Sequence, residues 1–242
     1  MSGHSKWANI KNRKASVDKK RGKLFSNLSK IITVAAKEKG GDIQMNPRLR
    51  TAIETAKAAN MPQDNIEKAV KKGTGELEGV TLEEFTCEAY GPGNSAIIIE
   101  GITDNKNRTI SEIKHLLDQH KGKIANPGNV LWMFEKIGKI ITNGVENNEI
   151  IELTAIDAGA EDIKKENDKM TILTNPENLY EIKKTLEENP ALKNIRIESA
   201  NMVWQTKSNI KISDEKTKNS LKDLLEALDE HDDVQNIFTN AG

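Results

Sequence analysis

The chain has 242 residues, a length that suits one to three domains, and with 30% of them charged and only 4% aromatic it reads as several small, well-solvated domains rather than one large core. A single cysteine, Cys87, excludes an internal disulfide framework and fits a reducing compartment. No apolar run approaches the roughly 20 residues of a membrane span, and the basic start lacks the apolar stretch of a secretory signal, so a cytoplasmic protein without membrane partners is expected.

The formal net charge of −1 conceals an asymmetry. Residues 1–72 hold 17 Lys and Arg against 6 Asp and Glu, a balance of +11, and the remainder carries −12. A basic face for a polyanion joined to an acidic body is the reading. Residues 2–23 contain eight basic residues and one acid. Gly22 and the lack of a sustained apolar period predict an arm there, helical at most in part. From Leu24 the apolar residues Phe25, Leu28, Ile31, Ile32 and Ala35 take helical spacing, and Gly40-Gly41 stops the helix. Asn46 and Pro47 read as N-cap and first residue of a second helix, with Leu49, Ala52, Ile53 and Ala56 on its apolar face. Pro62 starts a third, carrying Ile66, Ala69 and Val70 and ending at Gly73.

Beyond a linker at Gly73–Gly75, strands are predicted over 85–90 and 96–102 around a turn at Gly91-Pro92-Gly93-Asn94. A helix over 107–120 and a strand over 130–134 follow. The block after that reads as strand 138–142, helix 147–158, strands 161–166 and 169–174, helix 177–188 and strand 194–204, the βαββαβ order of ferredoxin-like domains. A helix capped by Ser213 and a strand over 234–238 supply what 83–135 lacks. The fold class expected is therefore α+β: a three-helix domain and two ferredoxin-like domains, the third inserted into the second. Domain limits are expected at 1–77, at 78–136 with 210–242, and at 137–209.

The candidate nucleic-acid-binding residues are Lys6, Trp7, Lys11, Arg13, Lys14, Lys19, Lys20, Arg21 and Lys23, with Lys71 and Lys72 at the end of the third helix. Lysine and arginine contact phosphates without reading sequence. Trp7 either stacks on a base or anchors the arm. Other clusters carry less. Gly91–Asn94 is a hairpin turn, since no Gly-Lys-Ser/Thr follows it. His115 and His120 diverge by about 140° on a helix and cannot share a metal. The acids around His231 fit a solvated helix end, and Cys87 lacks a spaced zinc partner. Arg108 at a helix start fits either an anion site or a capping cluster. Nothing groups catalytic side chains, so no enzyme, metal, cofactor or small-molecule substrate is expected.

Several fixed-order motifs add a resemblance. Gly3-His-Ser-Lys-Trp-Ala-Asn-Ile-Lys11, Lys20-Arg-Gly-Lys23, Asn46-Pro-Arg-Leu-Arg50, Ala58-Ala-Asn-Met-Pro62, Asp64-Asn-Ile-Glu67, Tyr90-Gly-Pro-Gly93, Thr103-Asp-Asn105 and Trp132-Met-Phe134 are similar to the YebC/PmpR family, along essentially the full chain. One departure is Asn126-Pro127-Gly128-Asn129, where many relatives place a Gly- and Ser-rich turn. The resemblance implies a helical N-terminal domain followed by two ferredoxin-like domains. It also implies a cytoplasmic, DNA-binding transcriptional regulator with its contacts in Gly3–Lys11. The similar mitochondrial proteins are translational activators, and bacterial members have been linked to ribosomes at proline-rich stretches. The alternative function is accordingly a ribosome-associated translation factor using the same basic domain, with ribosomal RNA in place of DNA. No recognition helix or aromatic RNA-binding signature is evident in the sequence.

Overall fold

A computed structural model describes the backbone of residues 4–143, 148–166, 169–192 and 195–241, and side chains from Lys20 onward apart from Asn148. The side chains of Lys6, Trp7, Lys11, Arg13, Lys14 and Lys19 thus lie outside the described residues. Within the described residues the protein divides into two compact units.

The first unit holds the chain up to Phe85 together with Glu100–Ser111 and Asp229–Gln235. Its helices are α1 (His4–Lys39), α2 (Pro47–Ala58) and α3 (Gln63–Thr74). The arm expected before Leu24 is the first half of α1, which runs unbroken through Gly22. Lysine and arginine are good helix formers, and one exposed glycine costs a long helix only about 1 kcal/mol. The apolar faces meet as expected: Leu28, Ile32, Ala35 and Ala36 of α1 pack with Leu49, Ala52 and Ala56 of α2 and Ile66 and Ala69 of α3. Leu24 stays about half exposed.

Asn46 is fully buried and joins two helix ends. Its side-chain oxygen accepts from Leu49 N at 3.0 Å, capping α2, while its amide donates to the carbonyls of Ala35 and Gly40 at 2.8 and 2.9 Å. The Gly40 carbonyl lies just past the last turn of α1, where no later turn of the helix supplies it a donor. Gly40 turns the chain away at φ 83°. Gly73 does not end α3; the helix continues to Thr74, and Gly75 closes it in the left-handed conformation. Gly73 instead marks where α3 meets α1. A Cβ there would lie 2.3 Å from the Thr33 carbonyl oxygen and 2.7 Å from Ala36 Cβ.

The second unit comprises Thr86–Ile99, Glu112–Leu228 and Asn236–Gly242. Strands β1 (Glu83–Tyr90), β2 (Ala96–Thr103), β3 (Lys123–Ile124) and β8 (Val234–Thr239) form one sheet in the order β3-β1-β2-β8. Strands β4 (Phe134–Asn143), β5 (Ala160–Glu166), β6 (Lys169–Thr174) and β7 (Arg196–Thr206) form another, ordered β5-β6-β4-β7. Helices α4 (Lys106–Gln119) and α7 (Glu215–Asp229) belong to the first sheet's chain segments, and α5 (Asn148–Asp157) and α6 (Leu179–Glu188) to the second's. The fold is α+β, with a three-helix domain and two ferredoxin-like domains. All strands of the second sheet fall in sequence between β3 and β8, so one such domain is inserted in the other. Within the second sheet β4 pairs antiparallel with both β6 and β7. Ile140, Met170, Ile172 and Ala200 bury their side chains against Ile151, Ala155, Leu179, Ile182 and Leu186 of α5 and α6. The edge strand β5 carries Glu161, Asp162, Lys164, Lys165 and Glu166, charges that discourage pairing with another chain.

One predicted strand is corrected. Residues 130–134 do not form a strand: Leu131–Met133 make one 3-10 turn, and only Phe134 begins β4. The cause is Glu88 on β1, whose carboxylate takes the backbone N–H groups of Gly128, Val130 and Leu131. Donors spent on a side chain cannot enter a strand ladder. The short strand β3 was not expected at all.

Candidate nucleic-acid interface

The basic residues of the first unit fall into two groups. Some are tied down. Lys30 Nζ donates to Asp233 Oδ1 at 2.6 Å and to the carbonyls of Ile102 and Asp232. Arg108 reaches Asp104 and Asp233, and the Thr109 hydroxyl donates to Asp233 Oδ2 at 2.7 Å. Burial alone would raise the Asp233 pKa, but Lys30, Thr109 and Arg108 outweigh it and hold this carboxyl well below the usual range. Arg108 thus sits in a capping and ion-pair cluster, the second of the two expected readings. Arg48 is held between Glu38, at 2.7 Å, and Glu84. Burial pulls its pKa down, but these hydrogen bonds more than compensate and the guanidinium is locked in its charged form.

The other group contains the expected contact residues. Lys20, Arg21, Lys71 and Lys72 are exposed, and among the described residues none of the four is held in an ion pair. Arg21 lies over the Phe25 ring at 5.2 Å, which fixes the guanidinium without neutralising it. Lys23 differs: its ammonium is buried and has no hydrogen-bond partner among the described residues.

Helix α1 itself is the larger feature. From His4 to Lys37 it has ten Lys and Arg and one acid, Asp18. At about 1.5 Å per residue its 36 residues span roughly 54 Å. Positions 6, 13 and 20 recur every seven residues, so the backbone places them on one side of the helix, and 14 and 21 lie about 100° further round from 13 and 20.

A second constellation lies in the second unit, away from the expected contact residues. Glu88 is 6% exposed. Its Oε1 accepts from Gly128 N at 2.6 Å, and its Oε2 from Val130 N at 2.6 Å and Leu131 N at 2.9 Å. Burial would raise its pKa, but these three donors prevail and its carboxyl titrates below the ordinary value. Beside it, burial first and the Glu88 charge second push the Cys87 thiol up to about 11, so it is a structural thiol rather than a reactive one. The 126–131 segment, fixed in this way, presents Trp132, 66% exposed. The indole Nε1 donates to the Asn129 carbonyl at 3.0 Å, and the Tyr90 hydroxyl donates to the same oxygen at 3.2 Å. The Lys123 ammonium stands 5.7 Å from the centre of the Tyr90 ring. The clue available in sequence was Glu88, an acid at an otherwise buried stretch of strand. Its partners lie 40 or more residues away, out of reach of local patterning.

Residues 5–76 match the TACO1/YebC protein N-terminal domain, and residues 82–241 match the TACO1/YebC second and third domain. The chain belongs to the TACO1/YebC family. It is 48% identical over 243 residues to a protein of Halothermothrix orenii named "Probable transcriptional regulatory protein", covering 99% of this chain and 94% of that one. A protein of Pseudothermotoga lettingae bearing the same name is 48% identical over 99% of this chain and 93% of its own length. A crystal structure of a conserved hypothetical protein from Aquifex aeolicus superposes with a TM-score of 0.84 at 45% identity, covering 94% of this chain and 93% of that one. Family, motifs and fold thus agree with the resemblance carried by Gly3–Lys11 and the later signatures. Among the described residues no helix is long and apolar enough to cross a membrane.

Proposed function

We propose that this protein is a cytoplasmic, DNA-binding transcriptional regulator that grips the phosphate backbone with α1 and the end of α3. The observation that carries this reading is the nearly acid-free length of α1 within a region of net charge +11. The names of the relatives support a regulatory rather than an enzymatic role. On this reading residues 1–77 are the binding domain, and 78–136 with 210–242 and 137–209 form the acidic body. Lys6, Trp7, Lys11, Arg13, Lys14, Lys19, Lys20, Arg21, Lys71 and Lys72 supply the contacts. Backbone contacts of this kind make binding steeply salt-dependent and tolerant of sequence.

Fluorescence anisotropy with a labelled duplex between 50 and 200 mM salt tests it. About six to ten phosphate contacts lower affinity by roughly 10³–10⁵ over that range. Replacing Lys20 and Arg21 by Gln removes two of them and flattens the slope of log K against log salt by about two. An unchanged slope in that variant places the site elsewhere. Pelleting of the protein with ribosomes at about 0.15 M salt despite excess duplex transfers the role from transcription to translation.

A further inference from the structure

The cluster of Trp132, Tyr90, Asn129 and Lys123 has no part in the phosphate grip just described. We infer that it is a second nucleic-acid site, one that takes a single unpaired nucleotide, with the Trp132 indole stacked on the base and Lys123 on an adjacent phosphate. This rests on the nucleic-acid reading above and adds to it a preference for single strands in the second unit.

Four observations carry the inference. Trp132 is 66% exposed although tryptophan ordinarily buries its large apolar area. The ring is nevertheless not loose, because its one donor, Nε1, is spent on the Asn129 carbonyl. What remains to offer a ligand is the π-face, which stacks on any base and reads none. The segment carrying it is fixed from beneath by the Glu88 carboxylate through three backbone donors at 2.6–2.9 Å. Little order therefore has to be gained on binding. Finally, the Lys123 ammonium lies over Tyr90, whose hydroxyl shares the Asn129 oxygen with the indole. One carbonyl thus couples a stacking surface to a cation, the pairing that single-strand sites use.

The surroundings favour a nucleotide over a protein partner. A protein-docking patch is contiguous and apolar, whereas the exposed run before Trp132 is Asn126, Pro127, Gly128 and Asn129, in which Pro127 is the one apolar side chain, and Leu131 and Met133 are half-buried. The other large apolar side chains that are more than half exposed, Met45, Val80, Leu153 and Ile156, lie on other segments of the chain.

The test uses the full-length protein with a labelled single-stranded RNA 12-mer, the DNA strand of the same sequence and the corresponding DNA duplex, at 0.15 M salt. Base–aromatic stacking lost on substitution by alanine is about 1–3 kcal/mol per base, so Trp132→Ala should weaken single-strand binding by roughly 5- to 150-fold and leave duplex binding unchanged. Trp132→Tyr should recover most of the loss. Lys123→Gln should reduce the single-strand salt slope by about 0.7. A loss confined to the RNA strand identifies RNA as the ligand, and equal losses on RNA and DNA strands identify the unpaired base alone; both support the site. Unchanged single-strand affinity in Trp132→Ala, or an equal loss on duplex, overturns it while duplex binding by the basic helix stands. A wild-type protein that binds neither duplex nor single strand overturns this inference and the proposed function together. Trp132 is exposed, so melting of the Ala variant should match wild type, and a lowered melting temperature there would assign the ring to packing instead.

Discussion

Replacing Glu88 by Gln keeps shape and volume while removing the charge on which three backbone donors converge. A carboxamide has one acceptor oxygen. Turned toward Val130 and Leu131, it keeps those two bonds and directs its own NH2 at the Gly128 N–H. One hydrogen bond to a charged acceptor is then lost, about 1.5–3 kcal/mol, and the other two fall to neutral strength, about 1 kcal/mol each. The expected destabilisation is about 2.5–7 kcal/mol, which at about 2–4 °C per kcal/mol for a domain of this size lowers Tm by roughly 5–28 °C. Thermal and urea melts at pH 7 measure it. The pH dependence supplies a second readout. Because the folded pKa of Glu88 lies below its unfolded value of about 4.3, its contribution is complete above that value. The contribution fades as pH falls through the folded pKa. Glu88→Gln should therefore show a smaller loss of stability on acidification than wild type, so the two curves converge at low pH. A variant melting within 2 °C of wild type at pH 7 refutes the role given to Glu88, because the three donors would then have found other acceptors.

Two further substitutions probe the first unit. Asp233→Asn should destabilise by about 1–2 kcal/mol, modest because Lys30 and Arg108 retain access to water. It should also remove part of the acid sensitivity below about pH 4, since this folded pKa is depressed as well; parallel wild-type and variant stability curves against pH contradict that. Gly73→Ala pits a helix-propensity gain of about 1 kcal/mol against a Cβ 2.3 Å from a backbone oxygen. The clash should win by more than about 2 kcal/mol, and a stabilised variant in a urea melt means that α1 and α3 are less closely packed than described.

The sequence made much of this legible, for physical reasons. Asn46-Pro47 announced α2 because a cap acts within three residues, and the apolar spacings of α1, α2 and α3 reported the faces that meet. The βαββαβ block was readable because each element carries its own period. Leu131–Met133 was not, since residues with strand propensity were overruled by a carboxylate some 40 residues away in sequence. Nor was the continuous α1: Gly22 and the scarcity of large apolar residues looked like an arm, but lysine, arginine and alanine are good helix formers whether or not an apolar stripe accompanies them. On the candidate interface, composition identified the basic region, whereas the Trp132 cluster depends on a shared Asn129 carbonyl that no spacing rule anticipates.

The insertion of the second sheet also sets a timetable for synthesis. Strand β2, with its run Ala96-Ile97-Ile98-Ile99, neighbours β1 on one side and β8 on the other. At about 5–20 residues per second, β8 follows it from the ribosome by on the order of ten seconds. Throughout that interval an apolar edge stands open while the intervening βαββαβ block emerges and can fold first. Such an edge invites pairing with a neighbouring chain. The yield of folded protein should therefore fall when translation is slowed between residues 104 and 233, and a chaperone that shields nascent strands should restore it.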